Sequence, residues 1–402
     1  MRPLPHSFRN KWDHLMDKVQ MLPVAYFVGG DLLCYSDCSN ARQRVRLVGE
    51  SLSGVIIVPP GERKHLPPEA KGQVWELPYA PKNFYQYLKL IRSYRGRISA
   101  VHHPFSNEMT LLKGLLLSLF SGVPVVLGCW DPPANVLWNE PTPFRLFRRA
   151  VMIFMMNLSI GLSKGALITH HPGFWRGKCL PFVFRKIRFF PDGTTHWKNQ
   201  EVMRRVPKVP KRFAMACRVS ELKGCWTVAD FFIRLYEADP EVSLVWVGGG
   251  LDREVRQHMI DAGVPADRLI MPGALERDET LPSIATATYA LNLYPNVESL
   301  RWNYLIKLPE FLSLGQPTIT NDLPGSLEYV REGETGIVVS LDDLDAAVKR
   351  TRDLINDDAL TARMRENALK LAPTYDWHKI NDDMATCMRQ ILAGENPKGT
   401  IA

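Results

Sequence analysis

Short apolar runs alternate with longer segments in which apolar residues recur at helical spacing. The runs have the length and composition of strands, and the longer segments predict helices that bury one face. Predicted strands in the first half lie at 23–29, 54–58, 73–77, 99–102, 123–128, 166–169 and 187–190. Predicted helices between them lie at 41–52, 83–94, 108–121 and 144–163. Because these strands are apolar on both faces, they predict a parallel sheet covered by helices on both sides.

The same alternation restarts after residues 198–210, whose proline and charge content is typical of a linker. Predicted strands then lie at 212–216, 243–248, 269–271, 289–293, 318–320 and 336–339. Predicted helices lie at 226–237, 252–262, 281–285, 326–331, 342–356, 358–370 and 377–392. We therefore predict an α/β chain of two doubly wound, Rossmann-like domains, at 1–197 and 211–375, and a final helix within 376–402.

The charge of the chain is unevenly distributed. The net charge is +8, but residues 1–200 carry 26 Lys+Arg against 12 Asp+Glu, and the remainder carries 24 against 30. The first half is thus expected to face an anionic partner, which composition alone leaves open between a phosphorylated substrate, a membrane surface and nucleic acid. No recognisable nucleic-acid module or aromatic stacking pattern is present, so we expect no nucleic-acid partner.

The predicted helix at 144–163 is apolar and has basic residues beside it. Arg145, Arg148 and Arg149 lie near its start, and Lys164 follows its end. This pattern fits a helix that lies in a membrane interface, and it equally fits a buried core helix with a basic entry. No apolar run reaches the ~20 residues needed to span a bilayer, and seven scattered Cys suggest a reducing, cytoplasmic setting. We expect a cytoplasmic protein with peripheral membrane contact.

Lys307 and Glu310 begin a predicted helix that Gly315 ends. A helix puts residues three apart side by side, and Pro309 is tolerated in the first turn. The free N–H groups of a helix start bind anions, and a flanking Lys strengthens such a site. The plain alternative is an ion pair on a helix surface.

Arg218 and Lys223 follow the first strand of the second domain, where ligands collect in doubly wound folds. A guanidinium and an ammonium at that place suit a diphosphate, although a solvated basic turn has the same composition. Gly248–Gly250 follow the next strand and permit close approach of a ligand, or simply form a tight turn. No G-x-G-x-x-G with a following acidic residue and no P-loop occurs, which argues against dinucleotide and P-loop enzymes.

Taken in order, several segments of the chain are similar to glycosyltransferase family 4. In the second half they are ACRVSELKG, VSLVWVGGG, DRLIMPGAL, YALNLYPN, IKLPEFLSLGQPTITND and EGETGIVV. In the first half they are ISAVHHPF, VPVVLGCWD, KGALITHHPGF and KIRFFPDGTTHW. The resemblance implies a GT-B fold with two Rossmann-like domains facing a central cleft. It also implies that the first domain binds the acceptor, that the second binds a nucleotide-sugar, and that the last helix crosses back to the first.

Carried onto this chain, the resemblance implies a nucleotide-sugar site in the second domain. The residues are Arg218, Lys223, Gly249, Leu275, Asn303, Lys307 and Glu310. Arg218 and Lys223 would hold the diphosphate, Leu275 would border the base, and Glu310 would bind the ribose. Eight residues before Glu310 stands Trp302, where the family has another Glu, unless Glu298 takes that place. The K-x-x-E arrangement instead resembles bacterial glucuronosyltransferases of polysaccharide assembly.

Asp131 ends a predicted strand of the first domain and is the candidate catalytic base, or else a turn residue before Pro132. His103, Arg42 and Arg44 are candidates for the acceptor side, with structural or solvated roles as alternatives. We predict a glycosyltransferase that uses a nucleotide-diphosphosugar, most simply a UDP-sugar, without cofactor or metal. The predicted acceptor is a lipid-linked or polysaccharide glycan in cell-surface or exopolysaccharide synthesis. A retaining transferase without a protein base and a non-catalytic sugar-nucleotide-binding protein are the alternatives.

Overall fold

A computed structural model describes residues 22–27, 40–61, 74–130, 135–139 and 142–395. Internal packing divides these residues into two compact units. One unit holds the described residues up to Phe190 together with those from Asn381 onward, and the other holds Pro191 to Ile380. Each unit is built on one parallel sheet.

The first unit contains a seven-stranded sheet of order β3-β2-β1-β4-β5-β6-β7, with every neighbouring pair parallel. Its strands are β1 Val24–Phe27, β2 Val55–Val58, β3 Val74–Glu76, β4 Ala100–Pro104, β5 Val125–Cys129, β6 Gly165–Ile168 and β7 Ile187–Phe189. The helices are α1 Asn40–Arg46, α2 Phe84–Ser93, α3 Glu108–Phe120, α4 Pro143–Leu162, α5 Pro172–Trp175 and α6 Pro181–Phe184. A π-helical turn at Leu47–Ser51 extends α1, and a 3₁₀ turn lies at Asn135–Trp138.

The second unit contains a six-stranded parallel sheet of order β10-β9-β8-β11-β12-β13. Its strands are β8 Val209–Ala216, β9 Ser243–Val247, β10 Leu269–Gly273, β11 Ala287–Asn292, β12 Thr318–Asn321 and β13 Gly336–Val339. The helices are α7 His196–Arg205, α8 Cys225–Ala238, α9 Asp252–Asp261, α10 Arg277–Ala285, α11 Glu298–Arg301, α12 Lys307–Ser313, α13 Pro324–Leu327, α14 Leu344–Ile355 and α15 Asp358–Leu371. Helix α16, Trp377–Ala393, begins in this unit, and its residues from Asn381 onward belong to the first. Short 3₁₀ turns lie at Glu221–Lys223, Ala266–Arg268 and Ala372–Tyr375.

Alternation along the central strands separates the core of the second unit into two layers. Phe213 and Met215 of β8 pack in one apolar cluster, whereas Ala214 and Ala216 pack in another. Successive side chains of a strand point to opposite faces, so both faces of this sheet are covered by helices. Helix α8 covers one of them, because its apolar residues recur every three or four positions and are buried.

Residues 198–210, the predicted linker, have regular structure. They form most of α7, a short connection and the first residues of β8, which begins at Val209 rather than at 212. The physical reason lies in three apolar residues of this segment, Val202, Met203 and Val206, which pack against the core of the second unit. Among the residues described, no helix combines the length and the apolar character required to cross a membrane.

Candidate functional site

A cavity lies at the carboxyl ends of β8, β9 and β10, which are neighbours in the second sheet. Strand β8 lies between β9 and β11, so the chain leaves it toward one side and later returns on the other. Doubly wound sheets bind ligands beside such a reversal, at the carboxyl ends of the strands. A cavity of about 520 Å³ lies there, and its lining includes Arg218, Gly249, Leu275, Thr280 and Lys307. The structure thus brings together four of the seven residues predicted for nucleotide-sugar binding.

Backbone hydrogen bonds join the loop after β8 to the glycine run after β9, and we call this arrangement the loop clasp. Val219 N–H donates to Gly249 O at 3.1 Å, and Leu251 N–H donates to Val219 O at 3.0 Å. Gly250 has a φ of +129°, and a Cβ built on it would lie 2.2 Å from Val219 O. Only glycine fits so close an approach. The run therefore has a structural role at Gly250, while Gly249 also lines the cavity.

Glu310 is buried behind the cavity and is paired with two cations. Its carboxylate accepts a hydrogen bond from Arg277 Nη1 at 2.6 Å, and Lys307 Nζ lies 3.0 Å from its other oxygen. The Glu310 side chain is 1% exposed, whereas those of Arg277 and Lys307 are 19% and 26% exposed. Lys307 and Glu310, which the sequence predicts on one helical face, thus form a buried ion pair that Arg277 joins. Of the three residues, Lys307 is the one that lines the cavity.

Two opposing effects act on the Glu310 carboxyl. Burial alone would raise its pKa, because a desolvated carboxylate is unfavourable. The charges of Lys307 and Arg277 outweigh that effect, and they hold the pKa of Glu310 below its ordinary value. The carboxylate is therefore charged at neutral pH and fixes the position of both cations.

Lys223 lies close to the cavity, above the ring of a buried tyrosine. Its Nζ is 5.7 Å from the centroid of the Tyr294 ring, and Tyr294 is 4% exposed. Cys217 lines the cavity nearby. Burial raises the pKa of the Cys217 thiol, although Lys223 and Lys307 both act to lower it. The thiol is thus protonated at neutral pH and is a poor nucleophile.

The chain around Trp302 forms no second carboxylate at the cavity. Trp302 Nε1 donates to Glu298 Oε2 at 3.2 Å, where Glu298 is the first residue of α11 and Trp302 directly follows its last. Neither Glu298 nor Trp302 is among the residues that line the described cavity. The carbonyl oxygen of Asn303 packs against Gly325, where an added Cβ would lie 2.0 Å from it. Asn303 is absent from the lining of the described cavity.

In the first unit, His103 has the surroundings of a structural histidine. It is 6% exposed, and its Nε2 lies 3.1 Å from Thr110 O in α3. Burial lowers the pKa of His103 to about 4, so the ring is neutral at physiological pH. The predicted contact with an acceptor gains no support from this position, and it stays a prediction.

Arg44 occupies a different position in the same unit. Its guanidinium lies 4.6 Å from the centroid of the Trp130 ring, at the carboxyl end of β5. This is the distance of a cation–π contact. Arg42 lies in α1, but its side chain is outside the described residues, and so is Asp131. The roles predicted for these two stay predictions.

Comparison with known protein families gives a match within the second unit. Residues 199–371 match the family Glycosyl transferases group 1. This segment is similar to group 1 glycosyltransferase domains. It contains the cavity and every residue predicted for nucleotide-sugar binding, whereas the narrower assignment to family 4 stays a prediction.

Two curated proteins are similar to the chain. D-inositol 3-phosphate glycosyltransferase of Corynebacterium glutamicum is 25% identical over 200 residues, which are 48% of this chain and 47% of that protein. Alpha-D-kanosaminyltransferase of Streptomyces kanamyceticus is 26% identical over 207 residues, which are 50% and 52% of the two chains. The matched part thus spans about half the length of these relatives.

Solved structures resemble the chain over nearly its whole length. Sucrose-phosphate synthase from Thermosynechococcus elongatus has a TM-score of 0.66 at 17% identity and covers 93% of this chain and 100% of its own. HepE from Anabaena, in complex with UDP, has a TM-score of 0.63 at 14% identity, with 92% and 99% covered. With two parallel sheets in two units, this likeness confirms the predicted GT-B fold.

Sequence reasoning missed Arg277 and Tyr294. Arg277 begins α10, shortly after the carboxyl end of β10. This position on the sheet edge is the one signal that could have indicated a site residue. Its bond to Glu310 crosses 33 residues of chain and has no signal in local spacing. Tyr294 stands in the YALNLYPN segment, and its place beneath Lys223 depends on the same tertiary packing.

The loop clasp makes Gly250 sensitive to any side chain. We expect Gly250→Ala to lower the free energy of unfolding of the second unit by roughly 2–4 kcal/mol, since backbone strain is added to a steric clash. Gly263→Ala is the matched control, because Gly263 also has a positive φ, +98°, but no atom lies within 4 Å of its added Cβ. Urea denaturation measures the free energy of unfolding of both variants. Equal losses of stability would show that the close contact in the loop clasp does not add to the cost of replacing Gly250.

The buried pair predicts a pH-dependent contribution to stability. Because the folded-state pKa of Glu310 is lowered, its contribution is fully present above the ordinary glutamate pKa, about 4.3, and is lost as pH falls through the folded value. Glu310→Gln is expected to cost roughly 1–3 kcal/mol at pH 7, and less at pH 4. Urea denaturation at the two pH values tests this, with Glu237→Gln, at an exposed glutamate of the same unit, as control. A cost that is independent of pH contradicts the assignment.

Proposed function

We propose that this protein is a glycosyltransferase that moves a sugar from a nucleotide-diphosphosugar to an acceptor hydroxyl. The observation that carries the proposal is the cavity at the strand ends of the segment similar to group 1 glycosyltransferase domains, lined by Arg218 and Lys307. Arg277 and Lys223 add positive charge beside it. HepE, which shares the fold, has been solved with UDP, and this supports a UDP-sugar as the donor.

In this proposal the cations bind the diphosphate and stabilise it as the leaving group. Negative charge develops on the leaving diphosphate in the transition state, and cations fixed in advance stabilise it without reorganisation. The ion pair with Glu310 holds Lys307 in such a fixed position, while Arg277 pairs with the other oxygen of the carboxylate. Because Glu310 is buried, we propose that it acts through Lys307, and that direct contact with a ribose requires its side chain to be uncovered.

Asp131 is proposed as the catalytic base. In the sequence it directly follows Trp130, the residue after β5. A carboxylate in that position takes the proton of the acceptor hydroxyl as its oxygen attacks the anomeric carbon and the bond to the diphosphate breaks. Direct displacement inverts the configuration at that carbon. The alternative is a retaining transferase, in which Asp131 has no such role.

The acceptor is proposed to be a lipid-linked or polysaccharide glycan of cell-surface or exopolysaccharide synthesis, glycosylated in the cytoplasm without a metal ion. Support for the acceptor class is the excess of cations in the first half of the chain, which favours an anionic or membrane-borne substrate.

Donor binding is the direct test of the proposed function. A saturating UDP-sugar is expected to raise the melting temperature, since a ligand at 100 times its Kd stabilises the native state by about 2.7 kcal/mol. UDP-, GDP- and ADP-sugars would be compared by thermal shift. Arg218→Ala and Lys307→Ala are expected to weaken binding at least tenfold.

The control for these variants is Arg234→Ala. Arg234 is an exposed arginine in α8 whose charge is paired with Asp345 at 2.6 Å, and it does not line the cavity. Its removal is expected to leave the donor-induced shift unchanged. A protein that shifts with no sugar nucleotide at all would contradict the proposal.

Asp131→Asn separates an enzyme from a sugar-nucleotide-binding protein. We expect kcat to fall by roughly 10²–10⁴-fold, the range lost when a general base is removed, while the donor-induced thermal shift is retained. Product formation by the wild type, with anomeric analysis of that product, is the measurement. Full turnover in the variant, or a retained anomeric configuration, would remove Asp131 as the base. Binding without any turnover in the wild type would favour the non-catalytic alternative.

A further inference from the structure

The outward face of α4 is apolar although the helix begins among arginines. Phe144, Phe147 and Phe154 are 70%, 68% and 63% exposed, and Met152, Met156 and Ile160 on the opposite side are fully buried. Both faces of the helix are thus hydrophobic, and only one of them is covered by the protein core. A helix at the surface of a soluble unit normally presents polar residues outward.

Two arginines in the first two turns of α4 are bonded to neighbouring parts of the protein. Arg148 donates to Glu108 of α3 at 2.7 Å, and Arg149 donates to the carbonyl oxygen of Leu137 at 2.9 Å. Asn157 and Ser159 likewise bond to backbone carbonyls of neighbouring segments, at 2.9 Å and 3.0 Å. The polar groups of α4 therefore serve internal packing, and the exposed side is left to aromatic and aliphatic residues.

The apolar face continues beyond α4 onto α6. Phe182 of α6 is 60% exposed, and its ring would lie 3.7 Å from a Cβ added at Gly161 of α4. Leu162, the last residue of α4, and Leu180, which directly precedes α6, are 49% and 52% exposed. We call this surface the α4–α6 face. Its members are Phe144, Phe147, Phe154, Leu162, Leu180 and Phe182.

Basic residues stand at the end of the α4–α6 face. Lys164 and Arg185 are exposed, and Lys186 donates to the carbonyl oxygens of Gly161 and Ser163 at 2.6 Å and 3.0 Å. Burial, and after it the charge of Lys164, lower the pKa of Lys186. Residues 142–190 contain nine Lys and Arg and no Asp or Glu. The surroundings of the face thus carry one sign of charge.

From this combination we infer that the α4–α6 face docks on an anionic lipid surface. Exposed aromatic rings enter the boundary between headgroups and acyl chains, and neighbouring lysines and arginines bind acidic headgroups. A second copy of this chain fits less well, because a twofold contact would bring two basic clusters together. The inference does not depend on the proposed enzymatic function, since it concerns binding to a bilayer without donor or acceptor.

Binding of the full chain to vesicles tests the inference. Vesicles of phosphatidylglycerol and phosphatidylcholine in a 1:1 ratio are expected to cosediment the wild type at low salt, and vesicles of phosphatidylcholine alone are not. Phe147→Ser/Phe154→Ser is expected to weaken binding at least tenfold, and Lys164→Glu/Arg185→Glu to abolish the preference for the acidic lipid. The matched control is Trp197→Ser/Leu327→Ser, which removes two exposed apolar side chains of the second unit and is expected to bind as the wild type does.

Each result decides for or against the inference. No binding to acidic vesicles, or equal loss in the phenylalanine variant and in the control, overturns it. Sedimentation without lipid identifies the competing occupant, because dimers that the phenylalanine variant abolishes would assign the face to a second copy. Unchanged melting temperatures of the variants show that weakened binding is not a loss of folding. The donor-binding assay of the same preparation is scored separately, so either proposal can fail alone.

Discussion

The close backbone contact between the loops after β8 and β9 is the constraint on which the candidate site depends. It fixes two strand ends at a spacing that only glycine allows at Gly250. Arg218 belongs to the loop after β8, and Gly249 belongs to the loop after β9. The same backbone hydrogen bonds therefore set the positions of the Arg218 cation and of the glycine that lines the cavity. A site built on backbone bonds between strand ends is rigid before a ligand arrives, which limits the entropy lost on binding.

The ion cluster behind this clasp adds orientation to the charge of the site. A lysine at the surface of a cavity samples many rotamers, and holding it in one costs conformational entropy. Glu310 restrains Lys307 within the folded protein, and Arg277 pairs with the other oxygen of the same carboxylate. The buried carboxylate is tolerated only because both partners are present. Stability and the placement of a cation are thus coupled in three side chains.

The strands and long helices followed from the sequence because their apolar patterns are local. Helix α12, its start at Lys307 and the strand that follows were predicted within a residue or two. Helix α7 was missed because proline and charge at 198–210 outweighed three apolar residues whose burial depends on distant packing. The same limit applies to the site. Spacing revealed Arg218, Lys307 and Glu310, whereas Arg277 and Tyr294 reach the site only through the fold, and the outward turn of Phe147 and Phe154 has no sequence signal distinct from a core helix.

Residues in and behind the cavity differ in how freely they can be replaced. Gly250 and Glu310 are constrained by backbone and charge, so replacing either disturbs more than the cavity. Leu275 and Thr280 line the same space but belong to neither arrangement. Thr280 uses its hydroxyl only for bonds to the carbonyl oxygens of Leu275 and Glu276, at 3.2 Å and 2.9 Å, within its own turn. These two positions are therefore where directed evolution can reshape the pocket and change its ligand preference while the scaffold stays intact.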